Sequence, residues 1–102
     1  MLAVACFGSN QVYVIDSATR QVVQTAKVGT GPMDVAFTPD GRYLYTADVD
    51  SGTVTVVDPE SGAVTASIPT PSPTSVSFLP DGTKAYVTNR DLGTVTVLHA
   101  AS

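Results

Sequence analysis

Short runs of apolar and threonine residues alternate with turn residues along the whole chain. Four such runs are spread over the middle of the sequence, at 35–37, 43–47, 53–57 and 63–68. The segments between them are rich in Gly, Pro, Asp and Ser, which favour tight turns. Runs of about five residues joined in this way predict a four-stranded antiparallel meander, and no segment has useful helical periodicity.

The second and third of these runs carry apolar or threonine side chains on both faces of the predicted strand. Thr53-Val54-Thr55-Val56-Val57 is the plainest example. A sheet with one solvated face would alternate apolar and polar residues along each strand. The pattern therefore indicates sheets that are covered by neighbouring sheets on both sides.

The meander repeats along the chain. With a shift of 41 positions, residues 32–58 match residues 73–99 at 13 of 27 positions without a gap, and both copies contain a Pro-Asp-Gly turn. A partial third copy lies at the N-terminus, where residues 12–16 align with residues 54–58 at a shift of 42. Three copies in register indicate a repeat protein.

A period of about 41 residues with four strands is typical of a β-propeller blade. The predicted fold class is all-β, a β-propeller of four-stranded antiparallel blades of about 40 residues, present here as a partial ring of about two and a half blades. With strands labelled A to D from the ring axis outward, the predicted division is an incomplete blade at 1–28 (strands B–D), a complete blade at 29–70 and an incomplete blade at 71–102 (strands A–C).

The motifs of the repeat resemble those of a known family. Tyr86-Val87-Thr88-Asn89 matches the tetrapeptide of the YVTN-family β-propeller repeat, and Val28-Gly29-Thr30-Gly31-Pro32 matches its linker. The resemblance covers nearly the whole chain. It implies a seven-bladed ring, often bacterial or archaeal and often periplasmic or at the cell surface, although the chain itself shows no export signal and its compartment is not indicated.

The resemblance also implies a role. The leading expectation is a non-enzymatic binding or structural scaffold with no cofactor. Two alternatives stay open: a fragment of a lactonase-like propeller enzyme with its catalytic residues in other blades, and an exported cell-surface or envelope propeller. The expected partner is either the chain itself, as a homo-oligomer, or the remaining blades of a longer chain.

Charge and composition narrow the classes of partner. The net charge is −4 and the five basic residues are scattered singly, which argues against a nucleic-acid partner held by phosphate contacts. No window approaches the ~18 consecutive apolar residues of a membrane-spanning helix, so membrane insertion is not expected. A single cysteine, Cys6, excludes an internal disulfide.

Residues with reactive side chains have ordinary structural explanations in this sequence. His99, the one histidine, occupies the repeat position of Asp16 and Asp58, and Cys6 falls on a strand where a small buried thiol is expected. The segment 48–52 has the Asp-x-Asp-x-Gly opening of a calcium loop but lacks its downstream acidic ligand. We therefore expect no catalytic or metal site, and a hairpin turn in which the Asp side chain binds local backbone.

The mouth of the axial channel is where a propeller is expected to bind a ligand. Residues at the start of strand A, and the neighbouring hairpins, would line it. The candidate contacts are Met33, Asp34, Thr74 and Ser75, with Asp48 and Asn89 as additions.

Overall fold

The computed structural model describes residues 1–99, which form ten antiparallel β-strands. The strands are β1 (Leu2–Cys6), β2 (Gln11–Ile15), β3 (Val22–Lys27), β4 (Pro32–Phe37), β5 (Leu44–Asp48), β6 (Thr53–Val57), β7 (Val64–Pro69), β8 (Pro73–Phe78), β9 (Lys84–Asn89) and β10 (Thr94–His99). They form three sheets: the first sheet β1-β2-β3, the central sheet β4-β5-β6-β7 and the third sheet β8-β9-β10. The all-β propeller fold predicted from the sequence is confirmed.

The strand limits differ slightly from those expected. The first strand of the complete blade begins at Pro32 rather than Val35, because Pro32, the last residue of the linker motif, already pairs with Asp48 at the end of β5. The second begins at Leu44 and extends to Asp48, and the fourth is Val64–Pro69. Within residues 1–99, no helix has the length and apolar character that crossing a bilayer requires.

Turn geometry repeats as closely as the strands do. Within residues 1–99, left-handed backbone occurs at nine positions, which fall into four sets of repeat equivalents: Asn10, Gly52 and Gly93; Arg20 and Gly62; Gly31 and Ser72; Gly41 and Gly82. Glycine adopts this conformation without steric cost, whereas other residues do not. Equivalent turns thus share the same backbone geometry, although their residues differ at several of these positions.

Aspartates begin several of these turns. The carboxylates of Asp16, Asp40, Asp58 and Asp81 each accept a hydrogen bond from the backbone N–H two residues later, at 2.8–3.0 Å. This is the local bond expected of turn-initiating Asp. Hydrogen bonds lower the pKa of two of these carboxyls: for Asp40 the main donor is the Thr38 hydroxyl, followed by the Arg42 backbone, and for Asp81 it is the Thr83 backbone N–H.

The first and central sheets pack face to face around buried aliphatic side chains. Val12, Val14 and Ala26 of the first sheet pack with Leu44 and Val57 of the central sheet. At the rim of the same interface, the Gln24 side-chain amide donates to the Glu60 carbonyl at 2.9 Å. The Gly31 N–H donates to Asn10 Oδ1, also at 2.9 Å.

The central and third sheets pack in the same manner, with an aromatic pair added. Val54 and Val56 meet Val76 and Val87 in a second buried cluster. The rings of Tyr45 and Phe78 contact edge to face, with centroids 4.9 Å apart. The central sheet is therefore the one sheet among residues 1–99 that is covered on both faces.

The turn at Gly62 provides a test of the first interface. Gly62 and Gly41 both have φ of +74°, but a Cβ at Gly62 would lie 2.7 Å from the Thr25 carbonyl oxygen of the neighbouring sheet, whereas a Cβ at Gly41 would meet nothing within 4 Å. We expect Gly41→Ala to cost about 1–2 kcal/mol for the left-handed backbone alone. Gly62→Ala should cost about 1–3 kcal/mol more, because the sheets must move apart. Urea denaturation of both variants measures the difference, and equal losses would contradict the close approach of the two sheets at this turn.

Candidate functional site

The inner strands β4 and β8 define the axial edge of the chain, because each is the edge strand of its sheet on the same side. A carboxylate joins them: Asp34 Oδ2 accepts a hydrogen bond from the Val76 backbone N–H at 3.0 Å. An edge strand carries N–H groups that its own sheet does not pair. The Asp34 side chain thus accepts a hydrogen bond from one such N–H group, that of Val76, across the boundary between two blades.

A β-bulge lies at the start of both inner strands. The pairing register shifts between Pro32 and Asp34 in β4 and between Pro73 and Ser75 in β8. The bulged residues are therefore Met33, which is 49% exposed, and Thr74, which is half-buried. Bulges re-aim side chains and are common beside functional sites.

Three hydroxyl groups meet beside the second bulge. Thr88 Oγ1 lies 2.9 Å from Thr74 Oγ1 and 2.7 Å from Ser75 Oγ. Each hydroxyl can both donate and accept. This hydroxyl cluster is uncharged, so it can hydrogen-bond a polar ligand but cannot act as a strong base.

Asp48 lies inside the central blade, with its side chain fully buried. Its Oδ1 accepts a hydrogen bond from the Thr46 hydroxyl at 2.9 Å. Its Oδ2 accepts bonds from the Thr55 hydroxyl at 2.5 Å, the Thr53 hydroxyl at 3.2 Å and the Gly29 N–H at 3.2 Å. The expectation that this Asp binds the local backbone of its own turn is wrong, because its partners lie on two strands and on the preceding linker.

The donors around Asp48 are all neutral. Burial raises the pKa of the Asp48 carboxyl, since removal from water disfavours the charged form, and the hydrogen bonds from Thr55, Thr46, Thr53 and Gly29 offset only part of this effect. Gly29 makes the arrangement possible, since a Cβ there would lie 2.7 Å from Asp48 Oδ2.

Asn89 occupies the equivalent place in the third sheet and is also buried. Its Nδ2 donates to the hydroxyls of Thr94 and Thr96, at 3.2 and 2.6 Å. Its Oδ1 has no hydrogen-bond partner among residues 1–99, because Val87 stands where Thr46 supplies a hydroxyl to Asp48.

The linkers explain the choice between acid and amide at this position. The Val28 N–H donates to the Asn10 carbonyl, and the Thr70 N–H donates to the Gly52 carbonyl in the same way. Val28 and Thr70 are therefore equivalent positions, and so are the residues that follow them, Gly29 and Pro71. Pro71 has no N–H to donate. An amide group that donates to threonines therefore fits the third sheet, whereas the Gly29 N–H requires an acceptor in the central sheet.

Only part of the predicted set of ligand contacts comes together. Thr74 and Ser75 share the hydroxyl cluster with Thr88, a residue that sequence reasoning did not single out. Asp34 lies next to this cluster but is engaged with Val76. Met33 is exposed, and Asp48 and Asn89 lie within the blades.

Cys6 and His99 are the two other residues with reactive side chains that the sequence singled out. Cys6 is half-buried rather than buried, because it lies on the uncovered face of the first sheet. His99 is exposed at the end of β10. Among residues 1–99, no three His, Cys, Asp or Glu side chains lie close enough together to hold a metal ion.

The buried carboxylate makes a prediction about pH. Because the pKa of Asp48 is raised in the folded state above its ordinary 3.8, folding favours the protonated form, and its contribution to stability falls as pH rises through this range. Asp48→Asn should fold, since an amide can accept from Gly29 and donate to Thr46. The free energy of unfolding of the variant minus that of the parent should therefore rise from about pH 4 toward neutral pH and then level off.

Urea denaturation across that pH range measures this difference, in which the opposite contributions of Asp40 and Asp81 cancel. Thr46→Val is the control: it removes one donor while keeping the charge, and should cost about 1–3 kcal/mol at neutral pH. A difference that falls with rising pH would contradict the raised pKa.

The fold recurs in much larger proteins. Hydrazine synthase from Kuenenia stuttgartiensis superposes with a TM-score of 0.85 at 27% identity, over 91% of this chain and 27% of that one. The dihydro-heme d1 dehydrogenase NirN superposes at 0.81 with 25% identity, over 96% of this chain and 21% of that one. A candidate 6-phosphogluconolactonase from Bacteroides uniformis shares the fold at 0.82, with 23% identity over 98% of this chain and 33% of that one.

Sequence comparison points the same way. The uncharacterised protein YwhL of Bacillus subtilis is 33% identical over 60 residues, which are 59% of this chain and 13% of YwhL. The chain thus spans only a small part of the proteins that it resembles. A family model described as lactonase, 7-bladed beta-propeller matches residues 7–78. The chain therefore belongs to the seven-bladed β-propeller lactonase family.

Proposed function

We propose that the chain forms consecutive blades of a larger ring and serves there as a structural scaffold whose axial edge contacts a polar, uncharged ligand. The observation that carries this proposal is that the carboxylates of Asp34 and Asp48 both accept hydrogen bonds from the protein itself. Asp34 binds the N–H of Val76, and Asp48 is surrounded by hydroxyl donors inside its blade. Both groups are engaged in holding strands together, which favours a structural role over an acid–base role.

The hydroxyl cluster of Thr74, Ser75 and Thr88 is the best candidate for the ligand contact. It lies where the bulge in β8 alters the direction of the strand at the axial edge. Its three hydroxyls match the alternating donors and acceptors of a polyhydroxylated molecule. Met33 adds an exposed apolar surface at the equivalent bulge of β4.

The repeat supports blade limits of 1–28, 29–70 and 71–102 as part of this proposal. Each limit falls between the outer strand of one sheet and the inner strand of the next. The finer assignment to the YVTN type of repeat stays a prediction that rests on Tyr86-Val87-Thr88-Asn89 and the linker motif.

The partners that we propose are further blades, either of a longer chain or of a second copy. The free face of the third sheet exposes Tyr86, Val95 and Val97 at 37%, 58% and 48%. Their repeat equivalents in the central sheet, Tyr45, Val54 and Val56, are at most 6% exposed because the third sheet covers them. Because the free face of the third sheet has the same apolar residues in the same positions, we expect a further sheet to pack on it in the same way.

Lactone hydrolysis is the second candidate, and membership of the lactonase family favours it. The family match does not support the sequence-based expectation that the protein is not an enzyme, so enzymatic activity stays an alternative. In that case the groups that activate water would come mainly from other blades, and these blades would build the channel wall. Asp34 is the one carboxylate of the axial strands β4 and β8.

A six-membered sugar lactone such as D-glucono-1,5-lactone tests what this chain itself contributes to either candidate, ligand contact or hydrolysis. The scaffold proposal predicts that the purified chain leaves the hydrolysis rate, followed by acid release, at its uncatalysed value. It also predicts that the lactone shifts the amide NMR signals around Thr88. Thr88→Val should weaken these shifts at least several-fold, whereas Thr83→Val, which removes an exposed turn hydroxyl, should not.

Two outcomes would overturn the proposal in different ways. Acceleration of hydrolysis that Asp34→Asn abolishes would establish the enzymatic candidate instead. Binding shifts that are the same in Thr88→Val and in the parent would remove the hydroxyl cluster as the contact.

A further inference from the structure

A cleft opens between the first and central sheets, at the end of the blades opposite the linkers. It has a volume of about 600 Å³, and its walls are mainly apolar. The lining includes Val14 and Val23 of the first sheet, Phe37 and Pro39 beside β4, and Glu60 at the rim. The hydroxyl cluster and the linkers take no part in it, so the cleft is separate from the proposed ligand contact.

The next blade interface shows what normally fills this place. There the Tyr45 ring lies edge to face against Phe78, with centroids 4.9 Å apart. In the sheet, Tyr45 pairs with Val56. The repeat relates Phe78 to Phe37 and Val56 to Val14, both of which line the cleft.

The first interface lacks the aromatic ring. The residue equivalent to Tyr45 is Ala3, which pairs with Val14 just as Tyr45 pairs with Val56. Ala3 also faces the central sheet, since it packs against the cluster of Val12, Val14 and Leu44. In the same way, Met1 of the lining stands where the next blade has Tyr43.

We propose that this cleft is a binding site for a neutral, single-ring aromatic molecule, which occupies the place that the Tyr45 ring takes in the next interface. Phe37 offers the ligand the same edge-to-face contact that Phe78 makes with Tyr45. An apolar cavity of roughly 150 Å³ already accepts benzene, so the space here is ample for one ring.

Charge limits the class of ligand. The Glu60 carboxylate is at the rim, and an adjoining depression that shares Gly41, Pro59 and Glu60 with the cleft also contains Asp40, Asp58 and Arg42. Three carboxylates beside one guanidinium repel an aromatic anion. Phenol, which is uncharged at neutral pH, fits the site, whereas benzoate does not.

The test is a titration of the full chain with phenol, followed by amide NMR shifts around Val14 and Phe37. Saturable shifts are expected for phenol, with affinity at least several-fold weaker for cyclohexanol, which lacks the aromatic ring, and for benzoate. Glu60→Gln should narrow the difference between phenol and benzoate.

Two complementary variants and one matched control make the test specific. Ala3→Tyr should fill the cleft from within, weaken phenol binding at least ten-fold and raise the melting temperature. Val4→Tyr is its matched control, because it adds the same ring on the opposite face of β1 and should leave phenol binding unchanged. Tyr45→Ala should open a second cleft beside Phe78 and raise the number of bound phenol molecules from one to two.

Either of two results would overturn the proposal. One is the absence of saturable phenol shifts in the folded parent chain. The other is an Ala3→Tyr variant that folds and binds phenol as the parent does. Because Ala3→Tyr adds a side chain that the next interface already accommodates, the test stands even where Tyr45→Ala does not fold.

Discussion

Face-to-face packing of successive sheets is the interaction on which the rest of this structure depends. Apolar and threonine side chains on both faces of a strand are stable only when a neighbouring sheet covers each face. The central sheet meets this condition, and its strands β5 and β6 are almost wholly buried. The first and third sheets are each covered on one side by the central sheet, and large apolar side chains remain exposed on their free faces.

This constraint also governs where the polar groups are used. Asp34 reaches across a blade boundary, and Asp48 ties the end of β5 to the threonines of its own blade and to the preceding linker. Asp34 therefore joins two neighbouring blades, and Asp48 joins its own blade to the linker before it. The places that we propose for recognition are the hydroxyl cluster at the axial edge and the apolar cleft at the opposite end, where one aromatic ring of the repeat is missing.

The repeat allowed the fold class to be predicted from sequence, because in-register copies of a turn and strand pattern specify both strand number and order. Strand ends were less predictable, since the pairing of Pro32 with Asp48 is a tertiary contact that the local sequence pattern does not show. The role of Asp48 was missed because its partner Gly29 lies 19 residues away. Threonines at 46, 53 and 55 on the predicted strands were the available signal.

The site was less predictable than the fold for a similar reason. Thr88 joins Thr74 and Ser75 only through the pairing of β8 with β9 and the bulge that interrupts it. The cleft depends on a difference between copies, Ala3 against Tyr45, rather than on a motif. Alignment of the first copy with the second shows this difference, but the sequence alone does not indicate that it leaves a space between two sheets.

The requirement that both faces of every sheet be covered is tested most directly by the mass of the chain in solution. Light scattering over a concentration series should give masses above the 10.5 kDa of one chain. Val97→Lys, which charges the free face of the third sheet, should lower the mass toward that of one chain, whereas Thr83→Lys in an exposed turn should not. A folded parent chain that stays at 10.5 kDa at every concentration would contradict the account.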